Sequence, residues 1–317
     1  MYRGKKIGIV VPCYNEETQI EHTITTMPDF IDRIIVVDDL SKDRTHEIVA
    51  GLAKKDSRII SIRHEKNRGV GGSISTGYVW CRDNDIDIAV VMAGDGQMDP
   101  DDLPVLLDPV VENRTDYAKG NRLITGEAWK KIPKLRYLGN SGLTFFTKIA
   151  SGYWHVTDSQ TGYTALTKKA LHLLPLKEIY PRYGMPNDFL VTCNIYSLRV
   201  LDVPINPVYG IGEKSGIKVR KALFSLTFLL IRLFIRRMLQ KYIIRDFHPL
   251  IFFYAFGAAL LAIDIPLIVR LIYYWTLTAN IPKINALSIM FCTFMGFQSI
   301  LFAMLFDMEA NKDLKGN

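Results

Sequence analysis

The sequence predicts an α/β protein with a mainly parallel sheet over its first two-thirds, followed by two helices able to cross a membrane. Three observations carry that reading. Short Val/Ile-rich runs alternate with helical stretches from Lys6 onward, the texture turns apolar after Gly216, and the net charge is confined to that last third. With 317 residues and about 150 per domain, two structural units are expected. An apolar share of 49% excludes a disordered or fibrous chain. Charged residues make up 22%, as in a soluble domain. The mean hydropathy of +0.11 is high for one, which requires an uneven spread.

The elements of the front part follow in order. IGIVVP reads as a strand, residues 17–27 as a polar helix, RIIVVDD as a strand, and residues 44–55 as a helix. RIISIRH is a third strand, residues 71–81 a third helix, and DIAVVMAGD a fourth strand. Unbroken Val/Ile runs taking turns with helices argue a parallel sheet covered on both faces. Ligands in such sheets bind beyond the carboxyl ends of the strands. That directs attention to Cys13–Glu16, Asp38–Asp39, Asn67–Gly72 and Ala93–Asp99.

Residues 217–317 carry 12 Lys and Arg against 5 Asp and Glu, so the whole net charge of +7 belongs to them. These basic residues sit among Leu, Ile and Phe, which favours an anionic membrane surface over nucleic acid as the partner. Residues 217–247 are expected to form amphipathic juxtamembrane helices, apolar face down, with Arg232, Arg236, Arg237, Lys241 and Arg245 toward the headgroups. Residues 248–317 then form a transmembrane hairpin with spans at about 249–275 and 284–306 and a short cytoplasmic tail. The connector 276–283 carries one basic residue, Lys283, while the segment before the first span carries many. Both termini, and the front domain of residues 1–216, are therefore expected on the cytoplasmic side of the cell membrane. Asp264, near mid-membrane, should face another helix or a partner copy, which leaves homo-oligomerisation through these helices open. The N-terminal apolar run is too short for a signal peptide and ends at Pro12. Four cysteines without a CxxC pair suggest buried thiols in a reducing compartment.

The chemistry is expected at the strand ends VPCYNEE, VVDDLSKDRT and VVMAGDGQMDPDDL. In the third, Asp95 and Gln97 are flanked by glycines, so an ion and a diphosphate could approach the backbone. Oxygen ligands of this kind suit Mg²⁺ or Mn²⁺.

From Ile7 to about Gly216 these motifs, in this order, resemble the family 2 glycosyltransferases of GT-A fold, and within them the polyprenyl-phosphate hexose synthases. The resemblance implies that Pro12, Tyr14, Glu16, Asp38 and Asp39 hold the base and ribose of a nucleotide sugar. It implies that Gly94, Asp95 and Gln97 hold metal and diphosphate, and that Asn67 and Gly69 close over the nucleotide. Where the family reads Asp-x-Asp-x-Gln, this chain has Ala93 in the first position, which bears on metal affinity and donor contacts. YAKGNRL and KLRYLGNSG match the acceptor elements, giving Arg122, Arg136 and Asn140 as a cradle for a phosphate monoester. DSQTGYTAL places Asp158, Gln160 and Thr161 beneath the donor sugar, and YGMPNDFLV gives Asn187 and Asp188 as contacts to sugar hydroxyls.

The function implied is inverting transfer of a hexose from a GDP-mannose or UDP-glucose type donor to a polyprenyl phosphate, with Asp95, Asp158, Arg122 and Arg136 carrying the chemistry. Two other readings stay open at this point. One is transfer to a lipid hydroxyl or a growing glycan, with Asp188 or Asp158 as general base. The other is a membrane-anchored nucleotide-sugar-binding protein without turnover.

Overall fold

The computed structural model describes residues 1–124, 134–206 and 219–317, with side chains described for 1–124, 141–206 and 225–317. Strand β1 (Ile7–Cys13) is buried at every residue, as an Ile/Val run must be when helices cover both faces of a sheet. Strands β2 (Arg33–Asp38), β3 (Ile59–Arg63) and β4 (Ile88–Val91) lie parallel with it. Helices α1 (Ile20–Thr25), α2 (Thr45–Ala53) and α3 (Val70–Asp83) return the chain between them. After α4 (Leu103–Val111) come β5 (Tyr117–Asn121), α5 (Lys134–Ser151), β6 (Thr164–Thr167), α6 (Lys168–Leu173), α7 (Met185–Ile195) and β7 (Val200–Pro204).

The described strands form one seven-stranded sheet in the order β3-β2-β1-β4-β6-β5-β7. β6 runs antiparallel to both neighbours, pairing Val91 with Thr164 and Lys119 with Thr164. This reversal decides where the chemistry gathers. It brings the start of β6, preceded by Asp158–Thr161, to the same sheet edge as the carboxyl ends of β1, β2, β4 and β5. One core cluster fills one face with Ile9, Val11, Ile34, Val36 and Val90. A second fills the other with Val10, Ile35, Val37, Tyr78 and Phe189. All four cysteines are free and buried.

The chain divides into two compact units, Met1–Phe234 with Asp313–Asn317, and Ile235–Lys312. Helix α8 (Val219–Leu239) begins in the first, where Leu229, Leu230 and Leu233 pack on Ala150, Val191 and Ile195. Its apolar side is thus divided: these leucines face protein, whereas Phe228 and Ile231 are exposed. The last residues, Asp313–Asn317, belong to the first unit. Lys315 bridges Val200, the Gly316 N–H donates to the Val200 carbonyl at 2.9 Å, and Arg114 donates to the Asn317 carbonyl at 2.9 Å.

In the second unit, helices α9 (Leu250–Thr278) and α10 (Lys283–Ala310) are each long and apolar enough to cross a membrane. They meet where Gly257 and Gly296 leave no room for a side chain. A Cβ on Gly257 would lie 2.9 Å from the Gly296 carbonyl. Asp264 faces the neighbouring helix, where its Oδ2 accepts from Thr293 at 2.7 Å, and Ser299 donates to the Phe253 carbonyl.

Arg237 departs from the sequence reading, which turned it toward headgroups. It is fully buried and forms a two-pronged ion pair with Asp307, at 2.7 and 2.9 Å. Tyr242 also donates to Asp307, and Lys241 to Asn311. A carboxylate 70 positions further along the chain captures the guanidinium, which periodicity cannot reveal. Removing one partner of a buried pair strands the other charge, at a cost of about 3–5 kcal/mol. Asp307→Ala should therefore lower the melting temperature of the detergent-solubilised protein sharply, whereas the double variant Arg237→Met/Asp307→Leu should recover most of the loss.

Candidate active site

The first loop, Tyr14–Glu17, is stitched to the loop after β2. The Asn15 N–H donates to Ser41 Oγ at 3.0 Å, the Lys42 N–H to Asn15 Oδ1 at 2.8 Å, and the Glu16 N–H to Thr45 Oγ1 at 2.8 Å. Tyr14 is left exposed, with 41% of its surface open. Pro12 contributes its carbonyl, which accepts from the Gly94 N–H at 3.2 Å and ties the β1 end to the β4 loop.

The two acids at the carboxyl end of β2, Asp38 and Asp39, are both buried and differ in what they hold. Asp38 accepts the Ser41 N–H at 2.9 Å, and its Oδ2 lies 3.3 Å from Arg63. Asp39 accepts the N–H groups of Arg68 and Gly69, each at 2.7 Å, while the Asn67 amide donates to its carbonyl at 3.2 Å. Gly69 sits at φ +79° with its Cβ position 2.5 Å from the Pro181 carbonyl, and a Cβ on Gly71 would lie 2.2 Å from the Tyr180 carbonyl. Only glycine permits this close approach. The Asn67–Gly72 segment is thereby clamped between Asp39 and residues 180–181.

In the β4 loop, Asp95 Oδ1 accepts the Gln97 N–H at 3.1 Å, a turn that leaves both side chains partly exposed. Burial, the neighbouring Asp95 carboxylate and Asp43 together push the Glu16 carboxyl up to about 7. The loops that carry Glu16 and Asp95 meet where the Gly94 N–H donates to the Pro12 carbonyl. Among the described residues, no three or more His, Cys, Asp or Glu gather into a metal-holding cluster.

On the other side of β4, Asp158 is buried and receives Arg122 through Nε at 2.8 Å and Nη2 at 3.1 Å, as well as the backbone N–H groups of Arg122 and Gln160 at 3.2 Å each. Burial pushes this carboxyl up, but the Arg122 hydrogen bonds and the Lys119 and Arg122 charges outweigh it and hold it at about 2. Arg122 and Asp158, which the sequence assigned to different tasks, form one pair. Gln160 donates to Asn187 Oδ1 at 2.9 Å, and Thr147 donates to the same oxygen at 2.8 Å. Asn187 Nδ2 is buried without a hydrogen-bond partner among the described residues. Asp188 accepts the Tyr180 N–H at 2.7 Å, which supports the clamp, and Thr161 is buried and accepts the Tyr163 N–H. The side chains of Arg136 and Asn140 lie outside the described residues.

Sequence reasoning passed over Lys119 and His64. Lys119 is fully buried on β5 and donates to the Asp158 carbonyl. Burial pulls its ammonium down to about 8 against the opposing Asp158 and Asp202 charges. The signal was present, since a lysine in mid-strand between small residues has no obvious route to solvent.

A seven-stranded sheet with one reversed strand and an acidic loop-lined edge is a GT-A-like α/β fold. The profile of glycosyl transferase family 2 matches residues 8–174, just over half of the chain, and the protein belongs to that family. It is 34% identical over 218 residues, 65% of this chain and 86% of the relative, to the UDP-N-acetylglucosamine–dolichyl-phosphate N-acetylglucosaminyltransferase of Methanococcus voltae. It is 27% identical over 228 residues, 70% of this chain and 93% of the relative, to the undecaprenyl-phosphate mannosyltransferase of Micrococcus luteus. Among solved structures it is similar to the glucosyl-3-phosphoglycerate synthase of Mycobacterium tuberculosis, crystallised with Mn²⁺, UDP and glucosyl-3-phosphoglycerate. The TM-score is 0.52 at 18% identity, over 74% of this chain and 80% of that one, a likeness of fold.

Proposed function

We propose that this glycosyltransferase moves a hexose from a nucleotide sugar to a polyprenyl phosphate, with inversion at the anomeric carbon. The observation that carries the reading is the pairing of one acidic strand-end site with relatives whose names specify a dolichyl or undecaprenyl phosphate acceptor. The donor is a nucleotide sugar of the GDP-mannose or UDP-glucose type, and UDP-N-acetylglucosamine belongs in the same screen because the Methanococcus relative is named for it.

A divalent cation, Mg²⁺ or Mn²⁺, fits the site. Burial first, and the Asp95 and Asp43 charges after it, raise the Glu16 carboxyl, and a cation would offset the share due to charge. Asp95 and Gln97 would hold it, leaving the other positions to phosphate oxygens and water, as Mg²⁺ is commonly bound. When bound, it would neutralise the departing diphosphate. Tyr14, Glu16 and Asp38 would face the nucleoside, with the clamped Asn67–Gly69 segment over it. Asp39, with both oxygens engaged, acts by positioning that segment. Asn187 Nδ2 would donate to a sugar hydroxyl.

An acceptor phosphate is ionised at neutral pH, so positioning and charge matter more here than a dedicated base. Arg122, aimed by Asp158, would orient that phosphate together with Arg136 and Asn140. Both ends of the helical unit Ile235–Lys312 run into the catalytic unit. A hairpin of α9 and α10 would enter and leave the membrane on one face, and the basic excess before the first span supports the cytoplasmic side.

Ala93 provides a test of the donor site. Ala93→Asp restores the acid that the family usually carries, and its turnover should equal or exceed that of the wild type. A folded Ala93→Asp variant without activity would mean that this chain binds its donor in another geometry. Turnover itself is read by incubating the full chain with labelled GDP-mannose, UDP-glucose or UDP-N-acetylglucosamine and a polyprenyl phosphate, then counting label in the lipid extract.

A further inference from the structure

We infer that His64 is a positioning residue for the donor nucleotide, acting through Asp39; this rests on the nucleotide-sugar reading of the site. His64 follows β3, and its backbone N–H continues the sheet by donating to the Asp38 carbonyl at 2.9 Å. Its ring is buried, with 7% of the residue exposed. Nδ1 lies 2.8 Å from Asp39 Oδ1 and Nε2 lies 2.9 Å from Thr76 Oγ1 on α3. Against a carboxylate, which only accepts, Nδ1 carries the hydrogen.

The ring therefore joins three pieces of the chain. Asp39 Oδ1 receives both the His64 ring and the Arg68 N–H, and Oδ2 receives the Gly69 N–H. Thr76 Oγ1 also lies 3.0 Å from the Gly72 carbonyl, at the other end of the same segment, so its single hydrogen serves either that carbonyl or the His64 ring. His64 thus fixes the direction in which Asp39 presents its oxygens to Arg68 and Gly69, and it ties that arrangement to the first turns of α3. It touches the nucleotide through neither nitrogen, because both are engaged with protein. Its contribution is to hold the Asn67–Gly72 segment in the binding conformation before the donor arrives, so that donor binding need not order it.

The test measures binding of UDP and GDP to the full chain in detergent by calorimetry, alongside steady-state kinetics. A charge-assisted hydrogen bond corresponds to roughly 10–100-fold in binding. His64→Ala should weaken nucleoside diphosphate binding and raise the donor KM by roughly tenfold or more. The kcat at saturating donor and the acceptor KM should stay near wild type. His64→Asn, whose amide can replace the Nδ1 donor, should recover most of the binding. Thr76→Val, which spares the Asp39 bond and keeps the side-chain shape, should give a smaller rise and serves if His64→Ala does not fold. Wild-type binding by both His64→Ala and Thr76→Val, or an equal loss in kcat and acceptor use, would overturn the role assigned to His64. If the wild type itself binds neither nucleotide, the nucleotide-sugar reading falls and takes this inference with it.

Discussion

Asp95→Ala should abolish sugar transfer while leaving the fold intact, because Asp95 is only partly buried and removing its carboxylate opens no core cavity. The stabilisation at stake is the neutralisation of a leaving diphosphate, several kcal/mol by the usual measure of such sites, or on the order of a thousandfold in rate. Two readouts separate this outcome from misfolding. The melting temperature without ligand should stay near wild type, and the stabilisation of the nucleoside diphosphate complex by added Mn²⁺ should vanish. The Glu16 carboxyl should also titrate lower, since one of the charges that raise it has gone. Near-normal turnover by Asp95→Ala would remove Asp95 from the site.

The second large effect is expected at Arg122. Its guanidinium and the buried Asp158 carboxylate form a forked pair, and Arg122→Gln removes that fork and one of the two positive charges beside the carboxylate, leaving Lys119. Stranding one member of a buried pair costs about 3–5 kcal/mol. The pH dependence has a definite sign. Asp158 is held at about 2 in the folded protein, below its ordinary value of 3.8. The stability this provides is fully present above the ordinary value and is lost as pH falls from near 4 toward 2. In Arg122→Gln the burial effect is no longer outweighed by Arg122, so acid unfolding should begin at a higher pH than in the wild type. Circular dichroism across an acid titration reads this directly. Activity at neutral pH should fall as well, with acceptor KM rising more than donor KM if Arg122 orients the acceptor phosphate.

How far these features could be read in advance follows from the range of the interactions. β1, β2 and β4 were legible because a buried parallel strand is a continuous Val/Ile run, visible within seven residues. The loops carrying Glu16, Asp39, Asn67 and Asp95 were legible because each follows such a strand. The reversal of β6 was not, since four residues, Thr164–Thr167, carry no mark of direction. That reversal brings Asp158 to the edge shared with Asp95. The pairing of Arg122 with Asp158 spans 36 positions, that of His64 with Asp39 spans 25, and that of Arg237 with Asp307 spans 70. Each polar residue alone reads as a surface charge or a loop residue. Its role emerges only when folding delivers the partner and removes the water. Asp264 was the easier case, because a lone carboxylate in an apolar run must find a donor, and Thr293 supplies it.

The central claim, sugar transfer to a lipid phosphate, is tested most directly by offering the full chain a labelled nucleotide sugar with polyprenyl phosphate in one reaction and the matching polyprenol in another. The account predicts label in the organic phase only with the phosphate, released as free sugar by mild acid, because a sugar joined through its anomeric carbon to a phosphate is acid-labile. Label carried equally by the polyprenol, or a product that survives mild acid, would contradict it.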